Sequence, residues 1–383
     1  MSVFTKNDQW KKMKLEQLIQ LVSGQHINAV DYNTKGIGIP YLTGPADFPN
    51  GKIVITKYTE KPKAICQKGD ILITVKGSGV GKTIISDGEY CISRQLMAIR
   101  TEDKLRDIIY YNLKMKEKLY NSDSAGLIPG ISRADILQTL ISVPTNEELC
   151  KEIGEILNLW EEAIVLKEKL INQKRRQKKG LMQKLLTGEV RLPGYVDKWI
   201  NVKLEKVLSF SKKEPILNPK DYYLLTVKLY LKGIEGTGKK PNITSKGRPY
   251  YLREPNELLI GRQNFHNGGI GIVPENLKGH IASNAISSLT VITGSLKFYF
   301  YYISNVNFYK RIEHLIGGTG QKEISETAMK KLNLFIPSSE KEQSAIADVL
   351  EKSDLEIKLL EEELDQLKIQ KKGLMQNLLT GKF

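Results

Sequence analysis

The segment GSGVGKT at Gly77–Thr83 comes nearest, by residue type, to a nucleotide-binding site. A P-loop has the spacing G-x-x-x-x-G-K-[ST], and its backbone N–H groups bind phosphate at the start of a helix. Here the position five residues before Gly81 is Lys76, and Ile84–Gly88 breaks where a helix should begin. A second glycine-rich stretch, Asn264–Gly271, lacks the Gly-Lys-Thr sequence. The pattern therefore predicts a glycine-rich turn after a strand, and a P-loop ATPase is the alternative.

Other catalytic and metal-binding patterns are missing from the sequence. No Pro-Asp pair occurs, so the common nuclease arrangement of carboxylates and a lysine around a metal is absent. Asn218-Pro219-Lys220 lacks the second proline and the aromatic residue of a base methyltransferase pocket. Neither the four histidines nor the three cysteines have metal-ligand spacing. We therefore predict a non-catalytic chain without a bound metal.

Polar and basic side chains in loops could instead bind DNA. Lys+Arg outnumber Asp+Glu by 58 to 43, and the formal charge of +15 attracts polyanions. Arginine can form paired hydrogen bonds with guanine, and asparagine or glutamine can do so with adenine. The candidate DNA-binding residues in the first half are Lys76, Ser78, Lys82, Arg94 and Gln95. Those in the second half are Arg262, Gln263, Asn264, His266, Asn267, Gln321 and Lys322.

A repeated sequence indicates the elements that position these loops. QKKGLMQKLLTG occupies Gln177–Gly188 and QKKGLMQNLLTG occupies Gln370–Gly381, with eleven of twelve positions identical and an offset of 193 residues. At this offset the alignment extends without a gap back to Pro144 and Pro337. About 40 residues without proline follow each of these prolines, which predicts two helices of about 60 Å.

Each long helix has sequence signals at both ends. Thr145–Glu148 reads T-x-x-E and Ser339–Glu342 reads S-x-x-E, which predicts capping boxes. Gly188 and Gly381 can end the helices in the left-handed conformation. Apolar residues repeat at 3-4 spacing in both copies, although three lysines interrupt this seam in the first. The pattern is typical of a coiled coil, and it predicts that the two helices pair with each other inside the chain.

Two groups of residues on these helices are candidates for binding partners. The basic run in the first helix has two interpretations, a solvated face or a surface that faces phosphates or a partner. The residues concerned are Lys174, Arg175, Arg176, Lys178 and Lys179. Leucines near the helix ends are predicted to pack there and to be needed for docking a partner subunit. These are Leu181, Leu185, Leu374 and Leu378.

The segments before the two helices predict mixed α/β domains. Short β-rich runs such as Ile71–Val75 and Ser288–Thr293 alternate with glycine turns, and helical stretches such as Asp107–Tyr120 and Leu296–Leu315 come late in each segment. We predict an α/β (α+β) chain with two globular domains separated by a pair of long helices. The predicted boundaries are 1–143 for the first domain, 144–188 for the first helix, 189–336 for the second domain and 337–383 for the second helix.

The repeated segments, 144–191 and 337–383, resemble the two conserved regions of the specificity subunit of type I restriction–modification enzymes, and the QKKGLMQ-LLTG ending is quite specific to that family. The resemblance covers the whole chain in layout. It implies two variable target-recognition domains, each reading one half of a bipartite DNA site. It also implies a pseudo-two-fold pair of antiparallel coiled-coil helices that fixes the gap between the half-sites. The family's specificity subunit is not itself catalytic.

The same resemblance implies the partners of the chain. These are double-stranded DNA, two modification (methyltransferase) subunits that carry S-adenosylmethionine, and restriction or motor subunits that use ATP and Mg²⁺. No cofactor is expected on this chain, and a homodimer of the isolated chain is possible. The start MSVFTKNDQW lacks a signal peptide and no run approaches a membrane span, which predicts a cytoplasmic protein. The resemblance implies a role in phage defence. The alternatives are a stand-alone DNA-binding protein, the P-loop ATPase, and a coiled-coil adaptor that never contacts nucleic acid.

Overall fold

The structure, a computed structural model, describes residues 10–77, 79–122, 130–211, 213–242, 248–312 and 323–382. The chain forms two compact units, of which unit 1 contains Met1–Glu168 and Glu362–Phe383, and unit 2 contains Lys169–Glu361. These units cut across the four predicted segments because each long helix contributes part of its length to each unit. The predicted boundaries at 143, 188 and 336 therefore remain predictions about sequence segments.

The elements of the first half follow each other in this order: β1 Trp10–Lys14, β2 Gln20–Ser23, β3 Ile39–Leu42, β4 Tyr58–Thr59, β5 Ile65–Cys66, β6 Ile71–Thr74, β7 Thr83–Ile85, β8 Tyr90–Ile92, β9 Leu96–Arg100, α1 Asp103–Ser122, α2 Arg133–Leu137, β10 Leu140–Pro144 and α3 Glu147–Leu185. Short 3-10 helices lie at Leu15–Gln17, Ala29–Asp31, Pro45–Asp47 and Pro49–Gly51.

The elements of the second half are β11 Trp199–Lys203, α4 Leu204–Val207, β12 Leu208–Phe210, β13 Leu225–Val227, β14 Ile234–Gly236, β15 Tyr250–Leu252, β16 Leu258–Gly261, β17 Ile270–Ile272, β18 Ile281–Ser283, β19 Ile286–Val291, α5 Leu296–Ile303, α6 Val306–Ile312, α7 Glu326–Lys330, β20 Asn333–Pro337 and α8 Glu340–Thr380. Short 3-10 helices lie at Pro219–Asp221, Arg262–Asn267 and Glu275–Leu277.

Both units contain the same two β arrangements. In unit 1, β1 pairs antiparallel with β10, and a four-stranded antiparallel sheet has the order β2-β9-β6-β7. In unit 2, β11 pairs with β20 in the same way, and the corresponding sheet has the order β12-β19-β16-β17. The central strands β6 and β16 are continuous apolar runs with both faces buried. The predicted mixed α/β character is confirmed.

The remaining strands differ between the units. Unit 1 has a second sheet of order β4-β3-β8-β5, in which β3 and β8 run parallel. Unit 2 has instead two separate two-stranded sheets, β13-β14 and β15-β18. The short helices α2 and α7, which precede β10 and β20, begin in the same way. The hydroxyl of Ser132 caps α2, and the hydroxyl of Ser325 caps α7. These serines lie at the 193-residue offset of the repeat.

The two long helices have the lengths that the proline-free segments predict, with 39 residues in α3 and 41 in α8. Glu148 N donates to Asn146 Oδ1 at 2.8 Å, so Asn146 supplies the cap that the sequence assigned to Thr145. The helices end as predicted, with Gly188 at φ +75° and Gly381 at φ +66°. The apolar seam is mostly buried, as at Leu157 and Leu350.

Ion pairs show the direction of the helices within each unit. In unit 1, Lys167 pairs with Glu363 and Glu161 pairs with Lys371, so residue numbers rise along α3 while they fall along α8. In unit 2, Lys174 of α3 pairs with Glu356 of α8, and Lys178 pairs with Asp354. The two helices are therefore antiparallel inside each unit, and the lysines that interrupt the seam are matched by carboxylates of α8.

The predicted capping box at the start of α8 does not form as expected. The Glu342 side chain is fully buried, and its carboxylate accepts hydrogen bonds from Arg191 Nε at 2.9 Å and from Arg191 Nη2 at 2.6 Å. Trp199 Nε1 also donates to Glu342, at 3.3 Å. The carboxylate thus ties the segment that follows α3 to the start of α8, because a buried charge is stable only when it is paired.

Candidate nucleic-acid interface

The glycine-rich segment of unit 1 is a hairpin loop between β6 and β7. Thr74 N donates to Lys82 O at 2.8 Å, and Gly81 N donates to Thr74 O at 2.9 Å. Gly77 and Gly81 have φ near +90°, which glycine adopts without strain. Because a strand and not a helix follows the loop, the helix N-terminus of a P-loop is missing, and the turn predicted from the sequence is confirmed.

The candidate DNA-binding residues of unit 1 that the structure describes lie at the same edge of the four-stranded sheet. Lys76 and Lys82 are exposed at the ends of the hairpin loop, and Arg94 and Gln95 are exposed just before β9. Val75 N donates to Gln95 O at 2.8 Å, which places the segment at Lys76 beside the segment at Gln95. The predicted Ser78 lies outside the described residues.

The corresponding edge in unit 2 carries the predicted residues of the second half. Residues 262–267 form the 3-10 helix that follows β16, and Arg262 N donates to Ala285 O at 3.1 Å, just before β19. Ile324 N donates to Arg262 O at 3.4 Å, as Ile131 N does to Val75 O at 2.9 Å in unit 1. The segment after β6 and the segment after β16 thus lie at equivalent places in the two units.

The individual side chains of this second set differ in availability. His266 is exposed, while Gln263 and Asn267 are half-buried. Arg262 Nε lies 2.9 Å from Glu323 Oε1, so a carboxylate neutralises the charge of this guanidinium. Arg262 is therefore not the free cation that we expected to read a base. The side chain of Asn264 and the residues Gln321 and Lys322 lie outside what the structure describes.

A second loop packs against each glycine-rich loop, a contact that the sequence analysis did not predict. In unit 1 the 3-10 turn Pro45–Asp47 follows β3, and a Cβ on Gly79 would lie only 2.6 Å from Pro45 Cγ. Asp47 braces this turn by accepting hydrogen bonds from Thr43 N at 2.5 Å and Thr43 Oγ1 at 2.8 Å. In unit 2 the hairpin turn between β13 and β14 contacts the 262–268 segment. Each candidate interface is therefore built from two loops.

A buried polar network lies behind the loops of unit 2. Arg253 is 3% exposed and its Nη2 donates to Ile286 O at 2.8 Å, while Lys213 Nζ lies 2.5 Å from the buried Glu257 carboxylate. Burial lowers the pKa of the Arg253 guanidinium, and Glu257 opposes that shift. These cations serve the interior of the unit and are not available to a phosphate.

Part of the basic run on α3 is also engaged inside its unit. Lys174 lies 2.5 Å from Glu356, Arg175 lies 2.5 Å from Glu361, and Lys178 pairs with Asp354. Ion pairing with α8 therefore engages the half-buried Lys174 and Lys178. Arg175 is paired but remains exposed, so its role in facing a phosphate or a partner stays a prediction. Arg176 and Lys179 are exposed. Like Arg175, these two side chains are accessible to a phosphate or a partner.

The four leucines near the helix ends divide in a similar way. Leu185 is 2% exposed in the core of unit 2, and Leu378 is 8% exposed in the core of unit 1. They pack at the helix ends as predicted, but such burial leaves them no surface for direct contact with a partner. Leu374 is half-buried, and Leu181 is 38% exposed. A docking role thus stays a prediction for Leu181 and Leu374.

Among the described residues, no group of three or more histidine, cysteine, aspartate or glutamate side chains could hold a metal ion. Within the same part of the chain, no helix is both long enough and apolar enough to cross a membrane. Cys66, Cys91 and Cys150 are buried and free of disulfides. Burial raises the pKa of the Cys66 and Cys150 thiols, which makes them poor nucleophiles.

The comparisons with known proteins match both halves of the chain. A family model described as "Type I restriction modification DNA specificity domain" matches residues 7–174 and again residues 196–369. The type I restriction enzyme MjaVIII specificity subunit of Methanocaldococcus jannaschii is 24% identical over 402 residues, covering 98% of this chain and 93% of that protein. A protein of the same organism, provisionally named as the MjaX specificity subunit, is 30% identical over 190 residues, covering 48% of this chain and 44% of that protein.

Solved structures show the same fold. The S subunit of a type I restriction–modification system from M. genitalium is 16% identical, covers 98% of both chains and gives a TM-score of 0.62. A chain from a structure on complex assembly and conformational transition of the type I R-M system is 15% identical, covers 100% of both chains and gives a TM-score of 0.60. The likeness covers both units and both long helices of this chain.

Proposed function

The chain belongs to the family of type I restriction modification DNA specificity proteins, and from this premise we propose that it reads a bipartite double-stranded DNA site, one half with each unit. The observation that carries the proposal is the twofold occurrence of one loop-bearing sheet edge with different side chains on it. In unit 1 the edge presents Lys76, Lys82, Arg94 and Gln95, and in unit 2 it presents the exposed His266 with the half-buried Gln263 and Asn267. Equal positions with unequal side chains suit two different half-sites.

The proposal extends to the partners of the chain. Two modification subunits dock on it, carry S-adenosylmethionine and methylate adenine, and restriction or motor subunits supply the ATP- and Mg²⁺-dependent steps. The chain itself recognises DNA and carries no catalytic group. The exposed Arg176, Lys179 and Leu181 on α3 are the side chains proposed for partner contact. We also propose a cytoplasmic location, which the three free cysteines support because disulfides persist in oxidising compartments.

The test is to co-express the chain with the modification subunit encoded beside it and to sequence the host DNA for methyladenine. Methylation at one bipartite motif is the expected result. Exchanging residues 1–143 for those of a relative should then change one half of the motif and leave the other intact. Absence of methylation together with absence of a stable complex would favour a stand-alone DNA-binding protein instead.

Salt dependence provides a second measurement on the purified complex. Contacts between cationic side chains and phosphates release counterions, so the logarithm of the binding constant should fall linearly with the logarithm of the salt concentration. Replacing Lys82 by alanine should reduce that slope by about 1. The matched control is Lys341→Ala, an exposed lysine on α8 that belongs to neither set of candidate DNA-binding residues, which should leave the slope unchanged.

A further inference from the structure

The hairpin turn between β13 and β14 has a backbone that its residues do not favour. Lys228 N donates to Gly233 O at 2.8 Å, and Lys232 N donates to Leu229 O at 3.4 Å. The two residues between, Tyr230 and Leu231, have φ values of +59° and +58°. Positive φ at both central positions is the signature of a type I′ turn, where Asn-Gly is the usual sequence. Tyrosine and leucine are strained there because their Cβ atoms crowd the backbone.

Contacts with the neighbouring loop hold this turn in place. Tyr230 N donates to Asn267 O at 2.7 Å, and Leu231 N donates to Gly268 O at 3.0 Å. A Cβ on Gly268 would lie 3.3 Å from Leu231 Cγ, so the leucine side chain lies against the glycine. The strained turn is thus fixed to the 262–268 segment, which carries the predicted DNA-binding residues of unit 2.

Packing does not explain the aromatic side chain at the first strained position. Tyr230 is 73% exposed, so its ring contributes little to the core of unit 2. Exposed His266 and half-buried Asn267 lie on the contacting segment, and exposed Lys232 follows in the turn. A phenol ring can contact the faces or methyl groups of bases, and its hydroxyl can donate to or accept from a base edge. Backbone strain of this kind clusters at ligand-binding sites.

We propose that Tyr230 is a specificity-determining residue for the DNA half-site that unit 2 reads. Its ring and hydroxyl contact the bases, the strained turn fixes their position beside Asn267, and Lys232 lies close enough along the chain to reach a flanking phosphate. The inference rests on the proposed function and adds a named contact residue to it. Unit 1 has Pro45–Asp47 at the corresponding place, so the two half-sites are read by different chemistry there.

The experiment uses the complex of the chain with its modification subunit and compares Tyr230→Asn with the wild type. Asparagine tolerates positive φ better than tyrosine does, so the variant keeps or raises the melting temperature of the complex. The affinity for a duplex that contains the wild-type motif should fall about tenfold. Methyladenine sequencing should show relaxed sequence preference in the half-site assigned to residues 189–336 and an unchanged preference in the other half.

The matched control is Leu217→Asn, which changes a side chain that is 95% exposed in the same unit but outside the two loops. It should leave motif, affinity and melting temperature unchanged. An unchanged motif and affinity for Tyr230→Asn would overturn the inference, as would a lowered melting temperature, which would mean a structural role. Loss of the complex would mean that Tyr230 contacts the modification subunit instead. If the wild-type complex methylates no bipartite motif, the proposed function fails first.

Discussion

Units 1 and 2 place the same residues of the repeat in the same kind of environment. Leu379 is fully buried in the core of unit 1, and Leu186 is 3% exposed in the core of unit 2. The helix ends also meet equivalent tryptophans, because a Cβ on Gly381 would lie 2.5 Å from Trp10 and one on Gly188 would lie 3.2 Å from Trp199. In unit 1 this contact joins segments that are far apart in sequence, whereas in unit 2 it joins consecutive segments.

The units differ where a repeated residue meets a residue that is not repeated. Lys371 and Lys178 occupy equivalent positions, with Nζ 5.1 Å from the Tyr111 ring centre and 5.4 Å from the Tyr301 ring centre. The carboxylate that pairs with Lys371 is Glu161, which Lys114 also contacts at 3.0 Å, so two cations share one acid in unit 1. The buried residues of the repeat pack into closely similar surroundings in the two units, whereas the residues that contact them and the exposed loops differ between the units.

The first prediction, for which we expect the greatest change, tests whether the two copies of the repeated helix end are equivalent. Leu186→Ala and Leu379→Ala should each lower the free energy of unfolding by about 2–5 kcal/mol, because each leaves a cavity in a closed core. Denaturant unfolding of the chain measures both. A loss in only one variant would contradict the equivalence of the two helix ends. Leu217→Ala, at an exposed position, is the control and should stay within about 0.5 kcal/mol of wild type.

A second prediction concerns the ion pair of Arg191 with the buried Glu342 in unit 2. Glu342 in unit 2 corresponds, at the offset of 193, to the buried Leu149 in unit 1. Arg191→Met should lower the free energy of unfolding, because it leaves the Glu342 carboxylate buried without its cation. Adding Glu342→Leu, which copies unit 1, should recover most of that loss. If the double variant is no more stable than the single one, the ion pair is not what distinguishes the units.

The glycines that end the two long helices allow a comparison between the units with a smaller expected change in stability. Gly381→Ala and Gly188→Ala each place a Cβ on a residue with positive φ, which costs roughly 1–2 kcal/mol. Gly381→Ala should cost more, since its Cβ would lie nearer the tryptophan ring. Thermal unfolding of the two variants and wild type gives the order. Gly194→Ala, also at positive φ but with nothing within 4 Å of its Cβ, isolates the backbone contribution.

The smallest predicted effect is a pH dependence that belongs to unit 1. Burial, with a smaller effect of Lys114, lowers the pKa of Lys371 to about 8 from its usual 10.5. Between these two values the unfolded chain binds more protons at this site than the folded chain, so the contribution of Lys371 to stability rises with pH. The Glu161 carboxylate that pairs with Lys371 opposes this shift, so the expected gain in the free energy of unfolding between pH 7 and pH 9 is small. Lys371→Met should abolish this gain, and Lys178→Met should keep it.

The fold could be predicted from the sequence to the extent that it is local or repeated. Helix length followed from the absence of proline between Pro144 and Gly188, and the left-handed ends followed from glycine. The capping residue was misplaced, because Asn146 and not Thr145 binds the free N–H group. Neighbouring residues of similar chemistry compete for a cap, and the backbone angles that decide between them depend on the preceding strand.

The candidate interface could be predicted only in part. Side-chain chemistry identified one loop on each sheet edge, but the second loop of each edge was missed because its contacts span many residues of sequence. The glutamate that neutralises Arg262 and the acids that pair with Lys174 and Lys178 are also distant in sequence. Charge composition gives the sign of the field, whereas the availability of each cation depends on what the fold places beside it.

The duplicated plan of the chain, its two long helices and its family follow from residue order, because a 193-residue repeat and its apolar spacing are properties of the sequence. Tertiary structure alone decided which repeated residues are buried, which lysines are neutralised and where the chain is strained. Tyr230 and Leu231 adopt positive φ only because Asn267 and Gly268 bind their backbone N–H groups. Such strain persists when long-range contacts outweigh local preference, and local preference is all that a short stretch of sequence can show.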